Sequence, residues 1–265
     1  MRVKKYLPSL LTLSSLFLGF LSILYIQRGE FILGCQLILI AALLDSLDGK
    51  LARKIGVSSL FGKEIDSLAD VVSFCLAPSF LIFNMISSNF ETYHPNFIIT
   101  AILSSFPLLM GAIRLARFNV EHDEDNKKQY YDGLPTPMAA IAICALIMMN
   151  LEFKSHNLFL ENNWTHYNII IPSIILLSFL MIGKIQFSKF PLLSFSKGTK
   201  NSIRLILTLI GFVALGISSM IGLLHIALFL FATYYILSNI IFHFINNSIQ
   251  LNQLKERIQM KKRES

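Results

Sequence analysis

The chain has 265 residues, 54% of them apolar or aromatic and 22 of them phenylalanine, with a mean hydropathy of +0.61. That composition excludes a soluble domain of this size, and apolar runs recur so evenly that no segment is left for a separate soluble domain. The formal net charge of +7 is the excess of Lys and Arg that cytoplasmic loops of membrane proteins collect, so no nucleic acid is expected as a partner.

In chain order, Arg2, Lys4 and Lys5 precede an apolar stretch from about Leu7 to Ile26. It closes on Gln27-Arg28-Gly29-Glu30 with no small-residue cleavage site, and so reads as a retained first helix rather than a signal peptide. Further stretches follow at about 31–53, 64–87, 97–117, 135–151, 168–184, 203–221 and 224–246; a hydrocarbon core takes roughly 20 residues to cross. The expectation is an all-α integral membrane protein of about eight transmembrane helices. The last split depends on a turn at Ser-Ser-Met-Ile-Gly between Ser218 and Leu224.

An N-terminus in the cytoplasm leaves only Arg28 and Lys154, of 23 lysines and arginines, on the opposite side. Both termini are therefore expected in the cytoplasm. The tail from Leu251 to Ser265, with Lys255, Arg257, Lys261, Lys262 and Arg263, suits a cytoplasmic end near anionic lipid. Cys35, Cys75 and Cys144 fall inside apolar runs without zinc-type spacing and read as core residues. Glu121 to Lys128, which includes His122, mixes acids and bases without helical spacing and reads as a solvated loop. His94, His156, His166, His225 and His243 lie away from the acids and read as structural.

Chemistry concentrates in Asp45-Ser-Leu-Asp48-Gly49-Lys-Leu-Ala52-Arg53 and, after a short connection, Gly62-Lys-Glu-Ile-Asp66-Ser-Leu-Ala-Asp70. An ionisable residue in a span costs about 2.5 to 3.5 kcal/mol on insertion scales, so it needs a cavity or a partner. Asp45 and Asp48 are three apart and Asp66 and Asp70 four apart, so each pair shares a helix face. A hairpin turning near residues 57 and 58 sets Asp45 level with Asp70 and Asp48 level with Asp66. Four carboxylates so gathered call for cations, and oxygen ligands without histidine select Mg2+ or Mn2+. Two such ions about 3.5 to 4 Å apart suit displacement at phosphorus. Gly49 and Ala52 leave the helix surface open to a polar substrate, Arg53 offers a fork for phosphate oxygens, and Ser59 and Gly62 offer a hydroxyl and bare backbone to a nucleotide. Arg114 and Arg117, at about the depth of the acids, suit an acceptor carboxylate or a lipid phosphate, with Asn119 beside them.

The pattern Asp45-x2-Asp48-Gly49-x2-Ala52-Arg53-x8-Gly62-x3-Asp66-x3-Asp70 resembles the signature of the CDP-alcohol phosphatidyltransferases. The resemblance implies that Asp45, Asp48 and Asp66 bind metal, that Asp70 both binds metal and acts as base toward the acceptor hydroxyl, and that Gly49 and Arg53 contact the CDP-lipid. Two later segments, Gly111-Ala-Ile-Arg114-Leu-Ala-Arg117-Phe-Asn119 and Gly133-Leu-Pro135-Thr136-Pro137, resemble the bacterial phosphatidylserine synthases of that family. They imply CDP-diacylglycerol and L-serine as substrates, a bacterial inner membrane and a homodimer, while hydropathy gives membrane lipid as surroundings and the Lys and Arg asymmetry turns the site to the cytoplasm. Relatives often read Pro-Asn before a Thr where this chain has Pro8-Ser9 and then Thr12, so Thr12 is kept as a CDP-lipid contact. The resemblance spans roughly 7 to 185. It divides the chain into a catalytic membrane domain, 1–185, and two additional helices with a basic tail, 186–265. The rival readings are a sister synthase using another acceptor such as glycerol 3-phosphate, and a divalent-cation transporter. Against the transporter, the acids gather at one membrane face with none at mid-depth to continue a path.

Overall fold

The computed structural model describes residues 7–56, 60–87, 96–121, 130–155, 163–188, 206, 211 and 213–264. The helices are α1 (Leu7–Gln27), α2 (Phe31–Ile55), α3 (Leu60–Asp70), α4 (Ala77–Ser87), α5 (Asn96–Glu121), α6 (Thr136–Ser155), α7 (Asn163–Ile182) and α8 (Leu224–Glu264). Two three-residue strands, β1 (Tyr130–Asp132) and β2 (Gln186–Ser188), pair antiparallel with Tyr131 opposite Phe187. Among the described residues, six helical stretches are long and apolar enough to span a membrane, and Ile169–Ile182 is a shorter apolar helix. The molecule is an all-α integral membrane protein.

The first helix is inside out relative to one in a soluble bundle. On α1 the buried positions are Pro8, Thr12, Ser15, Gly19, Ser22 and Ile26, while Leu10 and Phe17 are each 60% exposed. Large apolar side chains lose nothing by facing lipid tails, so close packing falls to small residues that let backbones approach. Ser15 donates to the Ala41 carbonyl of α2 at 3.0 Å, and Ser73 donates to the Ser15 carbonyl at 3.0 Å. α6 lies at the centre, with Ala139, Ala140, Ile143, Cys144, Ala145 and Ile147 all buried. Cys35, Cys75 and Cys144 are buried and free, as expected of core residues.

The third span differs from its expected form in two ways. It begins at Leu60 rather than 64, and between α3 and α4 it widens into a π-helical turn, Val71–Leu76. Pro78 explains the widening. It has no N–H for the carbonyl four residues back, and its ring crowds that carbonyl; the Ala77 N–H instead reaches back to Val72. The wider turn fits because its neighbours lack side chains: a Cβ on Gly19 would collide with Ser73, and one on Gly111 with the Cys75 sulfur.

Toward the C-terminus, 213–220 is helical and the turn expected between Ser218 and Leu224 is present. Gly222 sits at φ +78, the Leu223 N–H bonds the Ser218 carbonyl at 2.8 Å, and the Gly222 N–H reaches Ser219. These are the paired bonds of a Schellman helix end. The remainder of the expected seventh helix lies outside the described residues apart from 206 and 211. α8 continues as helix to Glu264, well past the apolar limit near 246.

Candidate active site

α2 ends on Gly56 in the left-handed region, φ +71, and the chain returns as α3. The hairpin does what the spacing of the acids requires. Carboxylate oxygens of Asp45, Asp48 and Asp66 lie within 4.8 Å of one another, and Asp70 lies within electrostatic range of Asp45 and Asp66. Asp48 is buried and the other three are half-buried.

Two hydroxyls orient the cluster, and neither assignment was visible in local spacing. Thr12 Oγ1 donates to Asp48 Oδ2 at 2.6 Å, with the Pro8 carbonyl 3.1 Å away; its single proton serves the carboxylate. Thr12, expected at the CDP-lipid, thus touches a metal-ligand candidate. Thr136, at the start of α6, donates to Asp70 Oδ2 at 3.1 Å. The other oxygen, Asp70 Oδ1, is buried and has no hydrogen-bond donor among the described residues. Four like charges at this range repel, and an oxygen taken from water without a donor carries a desolvation cost that a cation removes. The site therefore fits a hard divalent ion by donor type, spacing and the bare oxygen. Asp45, Asp48 and Asp66 could hold a metal ion.

The substrate-contact candidates fall out unevenly. A Cβ built on Gly49 meets nothing within 4 Å, so among the described residues close helix packing does not require a glycine there. Gly62 lies inside α3 rather than in the connecting turn, and is half-buried. Ala52 and Arg53 stand on the last turns of α2 with side chains outside the described set, and Ser59 lies outside the described residues.

Of the acceptor candidates, Arg114 is buried on α5, within electrostatic reach of Asp70, and its Nε has no partner among the described residues. Arg117 and Asn119 have work of their own. Arg117 donates to the Ile182 carbonyl at 3.0 Å and the Asp132 carbonyl at 3.5 Å. Asn119 pairs with Ser67 at 3.0 to 3.1 Å and accepts Lys63 on its carbonyl at 3.1 Å, tying α5 to α3.

The chain is similar to known proteins. A family model described as CDP-alcohol phosphatidyltransferase matches residues 5–177. The CDP-diacylglycerol–serine O-phosphatidyltransferase of Helicobacter pylori is 35% identical over 208 residues, covering 78% of this chain and 80% of that protein. The archaetidylserine synthase of Methanothermobacter thermautotrophicus is 38% identical over 144 residues, 54% of this chain and 58% of its own. The CDP-diacylglycerol–serine O-phosphatidyltransferase of Saccharomyces cerevisiae is 35% identical over 161 residues, 56% of this chain and 52% of its own.

Proposed function

This chain belongs to the CDP-alcohol phosphatidyltransferase family, and on that premise we propose that it transfers the phosphatidyl group of CDP-diacylglycerol to the hydroxyl of L-serine. The observation that carries the reading is the convergence of Asp45, Asp48, Asp66 and Asp70 at one hairpin, with a bare buried oxygen on Asp70. The serine hydroxyl oxygen attacks the phosphorus that carries diacylglycerol, a new P–O bond forms, and the bond to CMP breaks. Asp70 takes the hydroxyl proton as attack proceeds. Asp45, Asp48, Asp66 and Asp70 would hold two divalent ions, magnesium or manganese, and such ions would supply positive charge to neutralise the diphosphate and the departing CMP. Thr12 and Thr136 fix Asp48 and Asp70 by the hydrogen bonds already described. Gly49 admits the CDP-lipid to the surface of α2, with Ala52, Arg53, Ser59 and Gly62 assigned to the same substrate.

Serine is supported by the names of the Helicobacter and yeast relatives and by the buried guanidinium of Arg114 beside Asp70, which suits a carboxylate. CMP release by the purified protein, compared across L-serine, glycerol 3-phosphate and inositol, tests the acceptor: serine alone is expected to support turnover. Arg114→Ala is expected to raise the KM for serine roughly ten-fold or more, as loss of a hydrogen bond to a charged group implies. A rise confined to the KM for CDP-diacylglycerol would move Arg114 to the lipid phosphate.

We place the acids at the cytoplasmic face of a bacterial inner membrane, in a chain of eight spans with both termini inside. The scarcity of Lys and Arg in the opposite loops supports that orientation. Cysteines introduced at Glu30, which is exposed between α1 and α2, and at Met260 are expected to label from opposite sides of sealed vesicles. Labelling from one side would remove a span from the count.

A further inference from the structure

The last helix lies beyond the residues matched by the family model, which end at 177, yet it is joined to the catalytic cluster by an unbroken series of contacts. Three side chains of α8 grip β2. Asn239 accepts the Ser188 N–H at 2.8 Å, Tyr235 donates to the Ser188 carbonyl at 3.1 Å, and His243 Nδ1 accepts the Gln186 N–H at 3.3 Å. Between those bonds, Phe187 is fully buried and stacks on Tyr235 at 6.0 Å. β2 pairs with β1, Gln186 opposite Asp132, and β1 runs directly into α6.

The passage from β1 to α6 has no slack. Gly133 sits at φ +80, its N–H bonds the Ile185 carbonyl at 2.9 Å, and a Cβ there would strike the Met181 carbonyl. The Leu134 N–H bonds the Leu180 carbonyl at 2.9 Å, and Arg117 clamps both ends of the turn through Asp132 and Ile182. Two residues past Leu134 stands Thr136, fully buried, with its hydroxyl on Asp70 Oδ2. The terminal torsion of an aspartate is a broad, soft rotor. A donor fixed to one oxygen stops that rotor and sets where the other oxygen points.

We propose that Thr136 is a positioning residue for Asp70, and that Asn239 of α8 positions Thr136 in turn by clamping β2. This rests on the reading of Asp70 as the base given above. The helix past the family-matched region is thereby a working part of the site: it holds the ribbon that holds the hydroxyl that aims the carboxylate.

Kinetics of the full-length protein, followed by CMP release, test the proposal. Thr136→Val keeps the side-chain shape and removes the donor; kcat is expected to fall about ten-fold or more, with both KM values within about two-fold, and Thr136→Ser is expected to restore most of the rate. Asn239→Leu is expected to lower kcat in the same way, and the double variant is expected to be no slower than Thr136→Val alone, because both act on one carboxylate. Tyr235→Phe, which deletes one hydroxyl and leaves the ring stack, is the second probe of the clamp should Asn239→Leu not assemble, and carries the same expectation. Wild-type kcat in Thr136→Val overturns the proposal, as does a change seen only in the serine KM. Full additivity of Asn239→Leu, or of Tyr235→Phe, with Thr136→Val overturns the part assigned to α8. The rate ratios are read with whichever acceptor the wild-type protein uses. Loss of the serine assignment therefore shows in the wild-type acceptor comparison and stays separate from this result.

Discussion

Asp66→Asn is expected to abolish CMP release while leaving a protein that purifies and melts like the wild type, and Asp45→Asn is expected to do the same. Both residues place a carboxylate oxygen within 4.8 Å of the others. An amide of the same shape keeps the volume but loses the charge, and with it one ligand to a hard cation. Metal stabilisation of a phosphoryl oxygen is worth several kcal/mol, and about 4 kcal/mol is already close to 10³-fold in rate. The fold has no such dependence. It is held by packed small residues and by the buried face of α6, and one fewer negative charge in a repelling cluster does not weaken it. Initial rates across a magnesium and manganese titration, paired with thermal melts in detergent, check both halves. Retained activity in either variant would remove that residue from the ion site.

Asp70→Asn is expected to fail differently. Loss of a general base costs about 10²-fold or more in kcat, while binding of CDP-diacylglycerol is largely kept because Asp45, Asp48 and Asp66 still form their group of three. The amide retains an oxygen for Thr136, so the local hydrogen bond at 3.1 Å survives and the lost function is the proton acceptor itself. Single-turnover rates with pre-bound CDP-lipid separate the chemical step from binding. An unchanged single-turnover rate would require another base.

The carboxylate cluster was legible because its geometry is local. Spacings of three and four residues put each pair of acids on a helix face, and a connection of a few residues permits only an antiparallel return, so Asp45 meets Asp70 without knowledge of the rest. The hydroxyls were not legible. Thr12 and Asp48 are 36 positions apart and Thr136 and Asp70 are 66 apart, and no periodicity links such partners before the helices are assembled. The ribbon escaped for the same reason, since three residues in each strand carry no recognisable alternation and their partners lie far along the chain. The π turn had a signal in Pro78, four residues past Phe74 in an apolar run. The true end of α8 also had one: helix formation outlasts hydropathy, and Gln-Leu-Lys-Glu-Arg-Ile-Gln-Met-Lys-Lys-Arg-Glu up to Glu264 is rich in strong helix formers. Arg117 and Asn119 carry structural bonds that their spacing did not reveal. Their polarity within a span marked them for a ligand, whereas backbone carbonyls and Ser67 satisfy them.

The most direct test of the whole account is a single assay in which phosphatidylserine formed and CMP released are counted together by the purified protein. It is run with CDP-diacylglycerol and L-serine, before and after exhaustive chelation, and again on adding back magnesium or manganese. The two products are expected to appear in equal amounts, to vanish with the cation, and to return with it. Undiminished turnover in the chelator would contradict the role given to Asp45, Asp48, Asp66 and Asp70, and CMP without phosphatidylserine would contradict transfer to serine.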